Sequence, residues 1–431
     1  MQRRPAFVVA LALSLAIATV TVPSPVASAP LVAVRAGSVT GWVPYFNGPK
    51  TNGVNSIDAA AATGTMTEVM PFFYSATGAS DIRTVGTADD LLAVTRAARA
   101  RGMRILPSIT DGTGQLVMQG ILADPATRTQ HVDRIVALVL TGVDDIAYDG
   151  IDIDYEGFAF TDGRATWPQT QPLWLAFVKA LGEKLHAQGK LLSITVPPIW
   201  DDGRSGYTVY GPWNQVTPYA DRLRLMVYDW SVSAPGPTAP MSWVRNVIAY
   251  VQKTIPADVG KVWLGVPAYG RSWAKVTSGE CPALLPTGVA LSTTTVQTRN
   301  APALAASHGA TITDAKAANG SSEGESTFSW VVGTYTGPKS VTPTPGPYVP
   351  PPTVANQIPG SAADTNGLAP AVRLKPVAVN VTCTISRIVH VPDNASIVLR
   401  AQTAQAAGLG GIAIWALGYE PPELWPALAA G

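Results

Sequence analysis

The stretch YDGIDIDYEGF, residues 148–158, gathers the carboxyl groups of Asp149, Asp152, Asp154 and Glu156 into one short segment. Three of them alternate with Ile151, Ile153 and Tyr155, which is the two-residue period of a strand. On one face of a strand, side chains two residues apart stand about 6.7 Å from each other. Asp152, Asp154 and Glu156 therefore share a face, and the apolar residues take the other. Asp149 has the opposite parity and is expected to have a structural role at the strand start. Burial and neighbouring negative charge both raise carboxyl pKa values, so at least one of the three keeps its proton near neutral pH. A protonated glutamic acid at the mouth of a cleft is a general acid.

Other chemistries fit less well. An acidic strand could show its polar face to water, but a parallel strand between helices is buried on both faces. A calcium loop needs Asp or Asn at position five and Glu at position twelve, where this chain has Glu156 and Gly163. No GxSxG elbow is present, and His131, His186, His308 and His390 fall on helical patterns or in a late irregular region. Neither a serine triad nor zinc is expected, and no cofactor. No glycine-rich phosphate loop follows a strand, which argues against nucleotide binding.

The elements that must position these acids follow from periodicity. Apolar strand-like runs occur at 39–45, 66–75, 104–110, 148–156, 191–197, 222–229, 262–268 and 411–416. Between them lie helices with readable ends: Thr87 to Gly102, Asp124-Pro125 to Gly142, and residues 172–188 before Gly189. Strands alternating with helices imply parallel pairing and right-handed crossovers. Eight of them predict a (β/α)8 TIM barrel, with chemistry at the C-terminal ends of the strands. Gly157 then puts Glu156 on that rim.

Residues 274–392 break the alternation. They include eight prolines between 337 and 360, a linker-like composition. The last strand comes afterwards, so this region is expected as an insertion lobe between strands seven and eight. The barrel would comprise 37–273 and 393–431. Cys281 and Cys383, the only cysteines, are expected to form a disulfide closing the lobe at its neck. Residues 1–29 resemble a cleaved export signal, with Arg3 and Arg4 ahead of an apolar run too short to span a bilayer. The expected product is a secreted monomer without a membrane span. A net charge of +1 on 431 residues, of which 14% are charged, points to an uncharged partner and away from nucleic acid.

The pattern Asp149-x-x-Asp152-x-Asp154-x-Glu156 resembles the DxxDxDxE signature of glycoside hydrolase family 18, the chitinase-like hydrolases. Met226-Val227-Tyr228-Asp229 resembles the family's MxYD segment, GVPAYGRSW (265–273) its seventh strand and GGIAIWALGYE (410–420) its eighth. The resemblance implies a substrate-assisted retaining mechanism on β-1,4-linked N-acetylglucosamine polymers. Glu156 would protonate the glycosidic oxygen, and the substrate's own 2-acetamido group would attack the anomeric carbon. Asp154 would orient that group, with Asp152 behind it sharing its proton. Tyr228 would bond the acetamido carbonyl and Trp415 would floor the reacting sugar. Met226 and Asp229 would line the same subsite. Tyr45, in the weaker GWVPYF match, and Phe73 complete the substrate-binding candidates. Trp42, Trp200, Trp213, Trp230 and Trp273 could stack on sugars or pack under loops. Chitin and peptidoglycan or spore-wall glycans both remain open as substrates. A non-catalytic sugar-binding relative is disfavoured because the acid and both aspartates are intact.

Overall fold

The computed structural model describes residues 33–201, 206–317, Gly320, 322–342 and 375–430. The export segment expected at 1–29 and the proline-rich residues 343–360 lie outside these.

Eight parallel strands close into a barrel: Val39–Pro44, Met66–Ala76, Ser108–Asp111, Gly150–Asp154, Leu191–Val196, Arg222–Leu225, Val262–Pro267 and Gly411–Trp415. Closure comes from the first strand, which pairs with both the second and the last. Helices lie between the strands, as the alternation predicts. The helix Ala88–Ala100 is capped by the Thr87 side chain, and Pro125–Thr141 by that of Asp124. The helix expected from residue 172 begins earlier, at Trp167, and carries Pro172 inside it.

Three strands fall short of the expected run by more than one residue, each for a local reason. The run 104–110 is split into Arg104–Ile105 and Ser108–Asp111 around Pro107, which has no N–H to offer a ladder. Strand four stops at Asp154, because Glu156 already has helical dihedrals (φ −92°, ψ −10°) and starts the helix Gly157–Phe160. Strand six stops at Leu225, so Met226 and Tyr228 do not share a strand face but follow on irregular backbone.

The outward residues Ile151, Ile153 and Tyr155 are fully buried under the helices. The lower interior is polar rather than apolar. Glu68 and Arg224, both buried, form an ion pair there, and Arg104 and Arg222 add weaker contacts to the same carboxylate at 3.4 and 3.7 Å.

The lobe leaves the barrel between strands seven and eight. Its sheet has five antiparallel strands in the order Thr294–Gln297, Tyr269–Gly279, Val377–Val391, Ser322–Val341 and Thr313–Lys316. It begins at Tyr269, five residues before the boundary expected at 274, because only Ala268 separates it from strand seven. Residues 337–341, expected as linker, are strand and pair with 377–381. Cys281 and Cys383 are bonded, with Cα atoms 4.7 Å apart. The bridge does not close the neck. Arg271 pairs with His390 at the root, whereas Gly279 pairs with Cys383 about 27 Å further out at the usual strand rise. Among the described residues no helix is long and apolar enough to cross a membrane.

Lobe and barrel are tied by a buried carboxylate. Glu325 accepts from the backbone N–H groups of Thr238 (2.8 Å) and Ala239 (2.7 Å) and pairs with Arg400 at 3.1 Å. Arg400, also buried, donates further to the carbonyls of Gly324 (2.8 Å) and Ser396 (2.9 Å). Removing one partner strands the other charge in a dry site. Glu325→Gln is therefore expected to cost about 3 kcal/mol of stability. Denaturant titration checks this, and an unchanged midpoint would refute the tie.

Candidate active site

Glu156 stands where strand four gives way to the helix Gly157–Phe160, half-buried at the C-terminal rim of the barrel. A cleft of about 420 Å³ opens on one side, walled by Tyr207, Met226, Tyr228, Asp229, Arg271 and a group of tryptophans. On its other side is a smaller recess of about 210 Å³, bounded by Asp111, Thr113 and Asp162. Gly157 leaves room here: a Cβ would stand 2.5 Å from Asp111 Oδ2 and push that side chain aside. Burial, and secondarily the charge of Asp229, push the Glu156 carboxyl up to about 7. It is therefore an acid that carries its proton near neutral pH.

Below it the two aspartates differ sharply. Asp152 is fully buried, and each of its oxygens receives two donors. Oδ2 accepts from Trp42 Nε1 (3.0 Å) and Ser108 Oγ (2.7 Å), and Oδ1 from Ser193 Oγ (2.5 Å) and Thr195 Oγ1 (2.8 Å). The Arg224 guanidinium lies 3.6 Å away. Asp154 is nearly as buried, yet its Oδ1 has no hydrogen-bond partner. Burial first, then the charges of Glu156 and Asp152, hold its pKa well above the usual carboxylate range. The proton sharing expected between the aspartates has no hydrogen bond behind it, because Asp152 is already occupied by four donors. Asp149 lies outside the site. It accepts from the Ile105 N–H (2.8 Å), pairs with Arg99 (3.0 Å) and ties two strand starts together.

Met226, Tyr228 and Asp229 come together on the cleft wall, as the MxYD resemblance implies. Asp229 has a left-handed backbone (φ 61°), uncommon for a residue with a side chain. Its Oδ1 accepts from Tyr269 Oη (2.7 Å) and Arg271 Nη2 (2.6 Å), both from the first strand of the lobe. Tyr228 packs edge-on against Tyr269 at 6.2 Å, and burial pushes its phenol well up.

The aromatic candidates separate into two groups. Trp415 is half-buried and packs edge-on against Phe72 (4.9 Å) and Trp42 (5.9 Å). Phe73 is not at the site. It is fully buried in the outer core, where a register shift between Phe72 and Tyr74 has altered the strand's alternation, and Phe72 is the ring that meets Trp415. Tyr45 is exposed just past strand one and leans on Phe46 and Phe73 rather than on the cleft. Trp200 and Trp230 line the cleft, whereas Trp42, Trp213 and Trp273 are buried. Trp243, on the helix Met241–Thr254 and outside the sequence candidates, joins them: it lies 5.6 Å from Trp200 and 5.0 Å from Trp230. Tyr207, Asp111, Arg271 and the donors Ser108, Ser193 and Thr195 were likewise missed. Of these, only Arg271, within the GVPAYGRSW match, carried a signal. Among the described residues no group of three His, Cys, Asp or Glu side chains is arranged to hold a metal ion.

The acid's pH dependence follows from these charges. A general acid works while protonated, so with Glu156 in that role activity should fall as pH rises through about 7. Asp229→Asn removes a charge that disfavours the ionised form and should move that fall to lower pH. An alkaline limb that stays in place in hydrolysis-rate profiles would exclude Asp229 from this role.

The chain is 31% identical over 182 residues to YdhD of Bacillus subtilis (strain 168), named as a sporulation-specific glycosylase. That alignment covers 41% of this chain and 39% of YdhD. Its fold is similar to the C-terminal domain of a chitinase from Desulfitobacterium hafniense DCB-2, with a TM-score of 0.65 at 21% identity over 92% of this chain and 99% of that one. It is also similar to the chitinase of Cycas revoluta in complex with (GlcNAc)3, with a TM-score of 0.59 at 16% identity over 91% and 98% of the two chains. Residues 42–420 match Glycosyl hydrolases family 18, and the chain belongs to that family of glycosidases.

Proposed function

We propose that the protein hydrolyses β-1,4 bonds after N-acetylglucosamine residues with net retention, using the substrate's acetamido group as nucleophile. The observation that carries this is the pairing of Glu156, held protonated near neutral pH, with Asp154, whose Oδ1 has no partner of its own. Glu156 donates its proton to the leaving oxygen. The acetamido oxygen attacks the anomeric carbon and forms an oxazolinium ion, which water then opens, with Glu156 taking back a proton. Asp154 receives the acetamido N–H, and Tyr228 donates to its carbonyl. Trp415 supplies an apolar floor for the reacting ring, and the tryptophan-lined cleft takes neighbouring sugars by stacking.

Chitin and chito-oligosaccharides are the first substrate class, in keeping with the near-neutral net charge of +1. A second reading, an N-acetylglucosaminidase acting on peptidoglycan or spore wall, is favoured by the similarity to a sporulation-specific glycosylase. Action outside the cell accompanies either reading. It rests on the basic and apolar run at the N-terminus.

Product analysis tests the chemistry. On partially deacetylated chitosan, new reducing ends should be N-acetylglucosamine and the β-anomer should appear first. Frequent glucosamine at those ends would rule out substrate assistance. Glu156→Gln should lower kcat by about 100-fold or more while sugar binding survives. Comparing chitin oligomers with purified glycan strands separates the two substrate classes.

A further inference from the structure

We infer that His131 and Tyr210 are positioning residues for the acid: by gripping Tyr155 at its hydroxyl and its carbonyl, they fix where the Glu156 side chain points. Tyr155 is the single residue between Asp154 and Glu156, and it is fully buried. Its ring lies on the outer side of the barrel wall, stacked on Phe177 at 5.9 Å. The hydroxyl is 2.6 Å from Nε2 of His131, which is buried on the helix Pro125–Thr141. Nδ1 of the same ring is 2.9 Å from the carbonyl oxygen of Ala79. A carbonyl only accepts, so Nδ1 carries the proton. Nε2 is then an acceptor, and the Tyr155 hydroxyl must donate to it. Burial keeps this imidazole's pKa below its usual value, which favours the neutral form that the arrangement needs.

The second grip comes from the loop after strand five. Tyr210, fully buried, donates to the Tyr155 carbonyl oxygen at 2.6 Å. That carbonyl belongs to the peptide bond joining Tyr155 to Glu156. The bond is planar, so fixing its oxygen fixes the direction in which the Glu156 Cα departs. Neither His131 nor Tyr210 lines the cleft, so both act through Tyr155.

The inference rests on the reading of Glu156 as the acid, and one experiment keeps the two separable. The variants are Tyr155→Phe and Tyr210→Phe, each of which removes one hydroxyl and keeps the ring, with the full chain used throughout. NMR of ¹⁵N-labelled wild type should show His131 protonated at Nδ1. NMR of ¹³C-labelled carboxyl groups gives the Glu156 titration midpoint without any substrate. That midpoint also reflects Asp154, Asp229, Tyr207 and Tyr228 around it, which both variants leave in place. It should move from near 7 toward the ordinary glutamate range in both variants. On N-acetylchitooligosaccharides kcat should fall about tenfold with KM held within about twofold, the mark of lost orientation rather than lost binding. A His131 protonated at Nε2 would overturn the inference, as would an unmoved Glu156 midpoint in both variants. A wild type that cleaves no such substrate would sink the functional reading, and the NMR results would still decide the grip.

Discussion

One buried carboxyl group organises the catalytic end of this barrel. Asp152 lies where no water can help it, and four side-chain donors converge on its two oxygens. A carboxylate offers about four acceptor sites, and this arrangement fills them. The donors belong to strands one, three and five, so satisfying Asp152 also sets the register of its neighbours. Arg224 lies beneath and faces Glu68 as well, which spreads the buried charge over two carboxylates and a guanidinium. Asp154 is the next inward residue of the same strand. It meets this negative charge with no donor to offset it at Oδ1, and protonation is the cheaper state.

Local backbone strain has a counterpart at the rim. Asp229 holds a left-handed conformation, which costs of order 1–3 kcal/mol for a residue with a side chain. Tyr269 and Arg271 offset that by binding one of its carboxylate oxygens. Both belong to the strand with which the lobe begins, so the lobe reaches the catalytic wall by its root. The Glu325–Arg400 pair fastens the same lobe to the barrel at a second place. Two attachments are stiffer than one hinge, which suits a wall that must hold a charge beside an acid.

Much of this was legible in the sequence because it repeats. Alternation between Asp152 and Glu156 gives the inward face, capping residues give helix ends, and eight spaced apolar runs give the barrel. What was not legible depends on single departures from a period. A register shift on strand two turns Phe73 into the outer core and leaves Phe72 as the ring against Trp415, and no pattern of residue types announces it. Ser108, Ser193 and Thr195 look like ordinary strand residues, and only the closed barrel brings them to Asp152. Trp243 joins the cleft only because the loops carrying Trp200 and Trp230 fold against its helix. The disulfide partners were determined by count, but their place along the ribbon was set by strand pairing that composition does not encode.

The position of Glu156 between burial and exposure reconciles these parts. Two residues deeper, Asp154 is almost shut away from solvent and has no protein donor at Oδ1. A carboxyl further out in water would titrate near its ordinary value and be ionised at neutral pH. Ending the strand at Asp154 and starting a helix at Gly157 leaves Glu156 on the one turn where its carboxyl is half in the wall and half in the cleft. Tyr155, between the two acids, has its ring anchored in the outer core, so the turn cannot relax in either direction. The crowding of carboxylates is thereby graded along the strand: a group saturated by four donors, then a buried acid left open at Oδ1, then a half-exposed acid at the cleft.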